Sequence, residues 1–170
     1  LSAVTCSMMK NGKKGHSIVN WPLADLRDLR SFDPTNMVVS DCMSTDLFTI
    51  QKDDIIQLAV DVIDWKKLRY LPVEDKEGKL VGFITSRTLI KYFADHDSCD
   101  PDTQIVSDIM ITDVITITPD ANIMTARNVM QENQVGGLPV VLDGELVGII
   151  TETDFVNITV RLLDRLAEEE

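Results

Sequence analysis

The stretch Gly148-Ile149-Ile150-Thr151-Glu152-Thr153-Asp154 is where this 170-residue chain comes nearest to a binding chemistry. A glycine in an apolar run lets a ligand approach the backbone closely. A carboxylate in the first turn of a helix can accept hydrogen bonds from both hydroxyls of a ribose, while a neighbouring hydroxyl and exposed backbone N–H groups favour a phosphate. The same spacing has a plainer use. Thr151-x-x-Asp154 is a near relative of the Ser/Thr-x-x-Glu capping box, whose hydroxyl and carboxylate satisfy orphan N–H groups and bind nothing. Thr151 can serve both purposes. Earlier in the chain, Gly82-Phe83-Ile84-Thr85-Ser86-Arg87-Thr88 repeats the spacing with Thr88 at the carboxylate position. A single hydroxyl cannot accept from two ribose hydroxyls as a carboxylate does. That site is expected to be weaker, empty or adapted to another ligand, so occupancy is asymmetric and Asp154 dominates.

Positive charge to meet a phosphate is scarce. Lys66, Lys67 and Arg69 cluster just before Leu71-Pro72-Val73, whereas the corresponding stretch Asn133-Gln134-Val135-Gly136-Gly137 has no cation. A solvated basic helix end, favoured by the helix dipole, explains Lys66 and Lys67 equally well and Arg69 less well. Arg127 and Arg161 are weaker candidates. No nucleophile–base pair, metal-ligand spacing or P-loop stands in the sequence, which makes an enzyme the weakest functional class. Cys6, Cys42 and Cys99 are odd in number and widely spaced, with only His16 and His96 as nitrogen ligands. That usage reads as a reduced, cytoplasmic chain without a structural zinc site. Cys42 stands where the second copy has Ile109, as a small buried residue would, and the methionines read as core or interface filler.

These residues are positioned by an internal repeat. Val39-Ser40-Asp41-Cys42-Met43 recurs 67 residues later as Val106-Ser107-Asp108-Ile109-Met110, a longer period than the about 20 to 50 residues of solenoids. Thr45 to Ile50 and Thr112 to Ile117 follow, both β-branched and strand-like. Ile55, Ile56, Ala59, Val62 and Ile63 form the stripe of an amphipathic helix, matched by Ile123, Ala126, Val129 and Met130. Next come Leu71-Pro72-Val73 and Leu138-Pro139-Val140, a turn at Lys76-Glu77-Gly78 or at Asp143-Gly144, and the strands Leu80 to Ile84 and Leu146 to Ile150. Asp-Gly is a strong hairpin signal. Each copy reads β-α-β-β-α over about 55 residues, too few for a comfortable core alone, so the two are expected to depend on each other.

The predicted divisions are an amino-terminal linker with a short helix (1–38), repeat 1 (39–93), an acidic exposed linker (94–105), repeat 2 (106–159) and a carboxy-terminal helix end (160–170). Trp21-Pro22 followed by Leu23, Leu26 and Leu29 would start the short helix. The basic patch of Lys10, Lys13, Lys14 and His16 lies among glycines and reads as a flexible linker. Residues 1 to 20 lack the apolar stretch of a signal peptide. The first residue is Leu1, which suggests a fragment with a further domain upstream.

Composition bounds the partners. With 28 acidic against 16 basic residues the net charge is −12, which argues against nucleic acid or an anionic membrane surface as the main partner. At 44% hydrophobic and 26% charged the chain is of ordinary globular composition. Its longest apolar runs fall far short of the ~20 residues needed to span a bilayer, so no membrane insertion is expected. The charge is uneven. Repeat 1 has 8 basic and 9 acidic residues, repeat 2 has 1 and 8.

Two tandem β-α-β-β-α units, each with an apolar-Pro-Val strand and a Gly-x-x-Thr turn into its last helix, resemble a pair of CBS domains (the cystathionine β-synthase domain), often called a Bateman module. The resemblance covers about 39 to 93 and 106 to 159. It implies an α/β (α+β) pseudo-two-fold pair with clefts between the sheets, adenosine-containing ligands in one or both, and dimerisation through the CBS helices into a flat disc of four domains. In the family's Gly-x-x-Thr/Ser-x-x-Asp pattern the Asp binds ribose, which here is Asp154. The resemblance further implies adenine contacts from Val114, Ile115 and Thr116, with Pro139 and Ile149 packing on the ring beside Gly148. Phosphate contact would fall to Arg69, reaching a ligand held by Asp154, with Lys67 beside it. The function this implies is a non-catalytic regulatory module that senses an adenine nucleotide (AMP, ADP or ATP) and needs no other cofactor. The uneven charge favours an AMP-like ligand. A ligand-independent dimerisation module is the alternative.

Overall fold

Apolar residues three and four apart decide where the helices form. The computed structural model describes residues 36–95 and 100–168. Cys6, Cys99, His16, His96, the basic patch and the short helix expected near Trp21 lie outside the described residues.

Helix α1 (Ile56–Lys66) buries Ile56, Ala59 and Val62, and α3 (Ile123–Asn133) buries Ile123, Ala126 and Met130. Asn122 caps α3 by accepting from the Met124 N–H at 2.8 Å. Helix α1 has no side-chain cap. Instead the N–H groups of Ile56 and Gln57 donate to the carbonyls of Gln104 and Pro101 (both 2.9 Å), so residues of the acidic linker close the helix start. Ile55, read as part of the buried stripe, is the extended residue before the helix and is 39% exposed. Both helices end on a left-handed residue that is not glycine, Lys67 (φ 54°) and Gln134 (φ 55°).

After each helix an antiparallel hairpin follows. Strand β2 (Tyr70–Glu74) pairs with β3 (Leu80–Thr85), with Leu71 opposite Ile84. Strand β4 (Gly137–Leu142) pairs with β5 (Glu145–Thr151), with Leu138 opposite Ile150 and Val140 opposite Gly148. Asp143 (φ 51°) and Gly144 (φ 84°) make the tight turn, whose twist suits a two-residue hairpin. Strands β3 and β5 run directly into α2 (Ser86–Asp95) and α4 (Glu152–Glu168).

The first strand of each copy is much shorter than its β-branched sequence predicts. Only β1 (Ile50–Gln51) pairs in parallel with β2, and in the second copy a single parallel bridge joins Ile117 to Val140. Residues 45–49 and 112–116 form no strand. The physical reason is that β propensity records how well a side chain fits a sheet and does not by itself make a ladder: Thr49 is buried and its hydroxyl donates to Glu74, but only Ile50 and Gln51 pair with β2.

Packing units are offset from the sequence repeats. One unit is Leu47–Val114; the other holds residues 36–46 together with 115–168. Val106, from the start of repeat 2, lies in the first core with Ile50, Ile56, Leu71, Val73 and Ile84. Val39 and Met43, from the start of repeat 1, lie in the second core with Ile123, Leu138, Val140 and Ile150. Each repeat therefore lends its leading segment to the core of the other repeat's sheet.

Candidate functional site

Strand β5 delivers Thr151 to a strand–helix corner, and one turn into α4 the Asp154 carboxylate folds back over it. Asp154 Oδ2 accepts from the Thr151 N–H at 2.7 Å and from the Thr151 hydroxyl at 2.8 Å. This is the capping arrangement that the spacing allows. Both residues are half-buried. Among the described residues no hydrogen bond reaches Asp154 Oδ1, which leaves one carboxylate oxygen available as an acceptor. The first amide of α4, that of Glu152, donates to the Gly136 carbonyl at 3.0 Å.

In the first unit the same corner is made from two hydroxyls. The Thr88 N–H donates to Thr85 Oγ1 at 3.0 Å, and the two hydroxyl oxygens lie 2.9 Å apart. No carboxylate enters it. The Ser86 N–H donates to the Arg69 carbonyl at 3.1 Å, so the exposed Arg69 adjoins this corner.

The other expected contacts divide between the units. Pro139 and Ile149 face each other across the β4–β5 ladder, and Pro139 accepts from the Ile117 N–H at 3.0 Å. Ile115 packs against the second core and Thr116 is exposed. Val114, half-buried, is the last residue of the first unit. Lys67 and Arg69 also belong to the first unit. Lys67 Nζ pairs with Asp64 Oδ1 at 2.8 Å, both side chains being about four-fifths exposed. That is a helix-end contact of modest energetic value. Lys66 is held over the rings of Trp65 (3.9 Å) and Phe48 (4.3 Å).

Gly148 departs from its expected role. A Cβ there would collide with Met43 Sδ and meet Met43 Cγ at 3.0 Å. The space above the glycine is filled by a fully buried methionine of the exchanged segment, and Gly82 has Met110 in the same place. Close approach is indeed why a glycine is there, but the group that approaches is a side chain of this chain.

The exchanged segment 36–46 is what the sequence reading missed. Ser44 and Ile149 form an antiparallel bridge, each N–H donating to the other's carbonyl at 2.9 and 3.0 Å. Cys42 donates to the carbonyls of Val39 (3.6 Å) and Val38 (3.8 Å). Burial, then the nearby charges of Asp154 and Asp41, push its thiol up to about 12. The recurring Val-Ser-Asp-x-Met was the available signal, but a repeat does not reveal which of two equivalent sheets its leading segment joins. Among the described residues no cluster of His, Cys, Asp or Glu is arranged to hold a metal ion. No described helix is long and apolar enough to cross a membrane.

The family model of the CBS domain matches residues 39–95 and 106–160. An uncharacterized protein of Methanocaldococcus jannaschii is 30% identical over 123 residues, 72% of this chain and 43% of its own length. A CBS domain-containing protein of Dictyostelium discoideum is 32% identical over 138 residues, 75% of this chain and 94% of that one. Inosine-5′-monophosphate dehydrogenase of M. jannaschii is 36% identical over 112 residues, 65% of this chain but only 21% of the enzyme. The chain thus spans less than half of two of these three relatives. Among solved structures, a CBS domain pair in complex with 5′-methylthioadenosine and S-adenosyl-L-methionine superimposes with a TM-score of 0.65 at 29% identity, covering 72% of this chain and 99% of that one. CBSX2 in complex with AMP gives a TM-score of 0.65 at 25% identity, covering 74% and 97%.

Proposed function

The chain belongs to the CBS domain family, and on that footing we propose that it is a non-catalytic regulatory module whose Thr151–Asp154 corner binds an adenine nucleotide. The bound state is passed to an attached domain or partner. The observation that carries this reading is the Asp154 carboxylate, fixed at a helix start by Thr151 through Oδ2 with Oδ1 open. Such a group is poised to accept from a ribose hydroxyl. The adenosine compounds bound by two structural neighbours support the ligand class. Ile115, Thr116, Ile149 and Pro139 are the proposed adenine contacts, with Val114 beside them. Arg69 and Lys67, the phosphate contacts expected from the sequence, belong to the first unit, and Lys67 is already paired with Asp64. So few cations suit AMP better than ATP.

Calorimetric titration with AMP, ADP, ATP and S-adenosylmethionine tests this. AMP should bind the wild-type chain, with the heat lost in folded Asp154→Ala. No heat from any of the four would sink the reading.

One feature favours a second reading, a ligand-independent dimerisation module. Helix α4 exposes Val156 (60%), Val160 and Leu163 at i, i+4 and i+7, and α2 exposes Ile90 and Phe93. Spacing of this kind suits helix–helix packing, and a homodimer through these helices is part of the proposal under either reading. A dimer whose sedimentation ignores both AMP and Asp154→Ala would favour the second.

A further inference from the structure

Residues 37–44 lead into and open the first repeat and yet are tied into the second unit at both ends. At one end the Val39 N–H donates to the Ala121 carbonyl, the Ser40 N–H to the Pro119 carbonyl, and the Ile123 N–H to the Met37 carbonyl, each at 2.9 Å. These bonds fasten the segment to the start of α3. At the other end Ser44 and Ile149 bond each other in both directions, two residues along β5 from Thr151. Between the ends Val39 and Met43 are fully buried, and Met43 lies against Gly148. Cys42, in the middle, feels the charge of Asp154.

We propose that residues 37–44 are the output element of the Asp154 corner, carrying a change in that carboxylate's hydrogen-bond partners to the chain on the amino side of residue 37. The inference deepens the nucleotide reading and rests on it for the identity of the ligand. Its physical course is short. A ligand hydroxyl accepted by Asp154 alters the bonds the carboxylate holds to the Thr151 N–H and hydroxyl. Thr151 is the last residue of β5, whose Ile149 pairs with Pro139 on one side and with Ser44 on the other. A segment bonded at both ends, with its middle buried, opens as one unit rather than residue by residue. Coupling of this kind is reciprocal, so whatever moves the amino-terminal chain also changes affinity at the corner. The first unit supplies an internal control. Residues 105–111 are bonded there in the same way, with Phe83 and Ile111 exchanging bonds at 2.9 Å, but their corner has Thr88 in place of the carboxylate.

Hydrogen exchange on the full 170-residue chain, as wild type, Asp154→Ala and Asp154→Asn, tests the coupling, with calorimetry on AMP run alongside. The amides of Val39, Ser40 and Ser44 should exchange about threefold or more faster in Asp154→Ala. The conservative Asn variant, which keeps an acceptor and its fold, should fall between. Ile111 in the first unit and Val135 at the far end of α3 should not change, and AMP should slow the amides of residues 37–44, the strap, in the wild type. Strap amides unaltered in both variants, or a uniform acceleration of the whole second unit, would overturn the inference. AMP heat without a strap response leaves the nucleotide reading standing and removes this one. A strap response to the variants without AMP heat does the reverse.

Discussion

The thioether of Met43 fills the space that a side chain on Gly148 would need, and Met110 stands in the same relation to Gly82. Met43 belongs to the start of the first repeat in sequence but is buried in the core of the second unit, so this contact is one of the pins of the exchange.

Gly148→Ala should therefore destabilise the second unit by about 1–3 kcal/mol through overpacking. Met43→Ala alone should cost about 2–5 kcal/mol through the lost burial and the cavity left behind. Because the two residues touch, the double variant should cost less than the sum of the singles. Urea denaturation of the four proteins measures this, and strict additivity would refute the contact.

The first corner has Thr88 where the second has Asp154, so the missing carboxylate can be restored. Thr88→Asp should accept from the Thr85 N–H as Asp154 accepts from Thr151. It should also place a negative charge in the first turn of α2, a favourable position by about 0.3–1 kcal/mol. Stability should hold or rise slightly, and AMP stoichiometry should increase from one toward two per chain. Unchanged stoichiometry in a folded variant would show that the carboxylate is not what separates the corners.

What was legible in the sequence follows from local periodicity and turn chemistry. Ile56, Ala59 and Val62 mark α1, and Asp143-Gly144 marks a hairpin, because each is decided by residues within one turn or one ladder. The Thr151–Asp154 corner was legible for the same reason. Residues 45–49 read as strand because β propensity records only how well a side chain fits a sheet, whereas only Ile50 and Gln51 pair with β2 in the ladder. Gly148 advertised a missing Cβ, but nothing local names the group that fills the gap. Docking of the segment around Met43 on the second sheet rather than the first is a choice between near-identical partners, made by long-range packing.

Cys42 predicts a pH dependence whose sign is fixed. Its thiol is pushed up to about 12 by burial first and by Asp154 and Asp41 second, against about 8.5 in an unfolded chain. Above about pH 8.5 the unfolded state loses this proton while the folded state keeps it, so its contribution to stability is full below that pH and is lost progressively toward 12. Denaturation at pH 7 and pH 10 should show a loss that Cys42→Ala reduces. Asp154→Asn should lower the thiol pKa and speed alkylation at Cys42, read by peptide mass spectrometry. An unaltered rate would deny the proximity of the two groups.

A chain beginning at residue 47 offers the sharpest separation of repeat from packing unit. By sequence such a truncation removes the amino-terminal segment and the leading residues of repeat 1, and should harm repeat 1. By packing it strips Val39 and Met43 from the second core and leaves the edge of β5 at Ile149 without Ser44. The first unit, whose core draws on Val106 instead, loses none of its described residues. Hydrogen exchange on residues 47–170 should therefore show protection kept through α1, β2 and β3 and lost through α3, β4 and β5. Losing two buried side chains costs about 4 kcal/mol or more, a large fraction of the stability of a small domain. Retained protection in β5, or loss first in β2 and β3, would contradict the exchange.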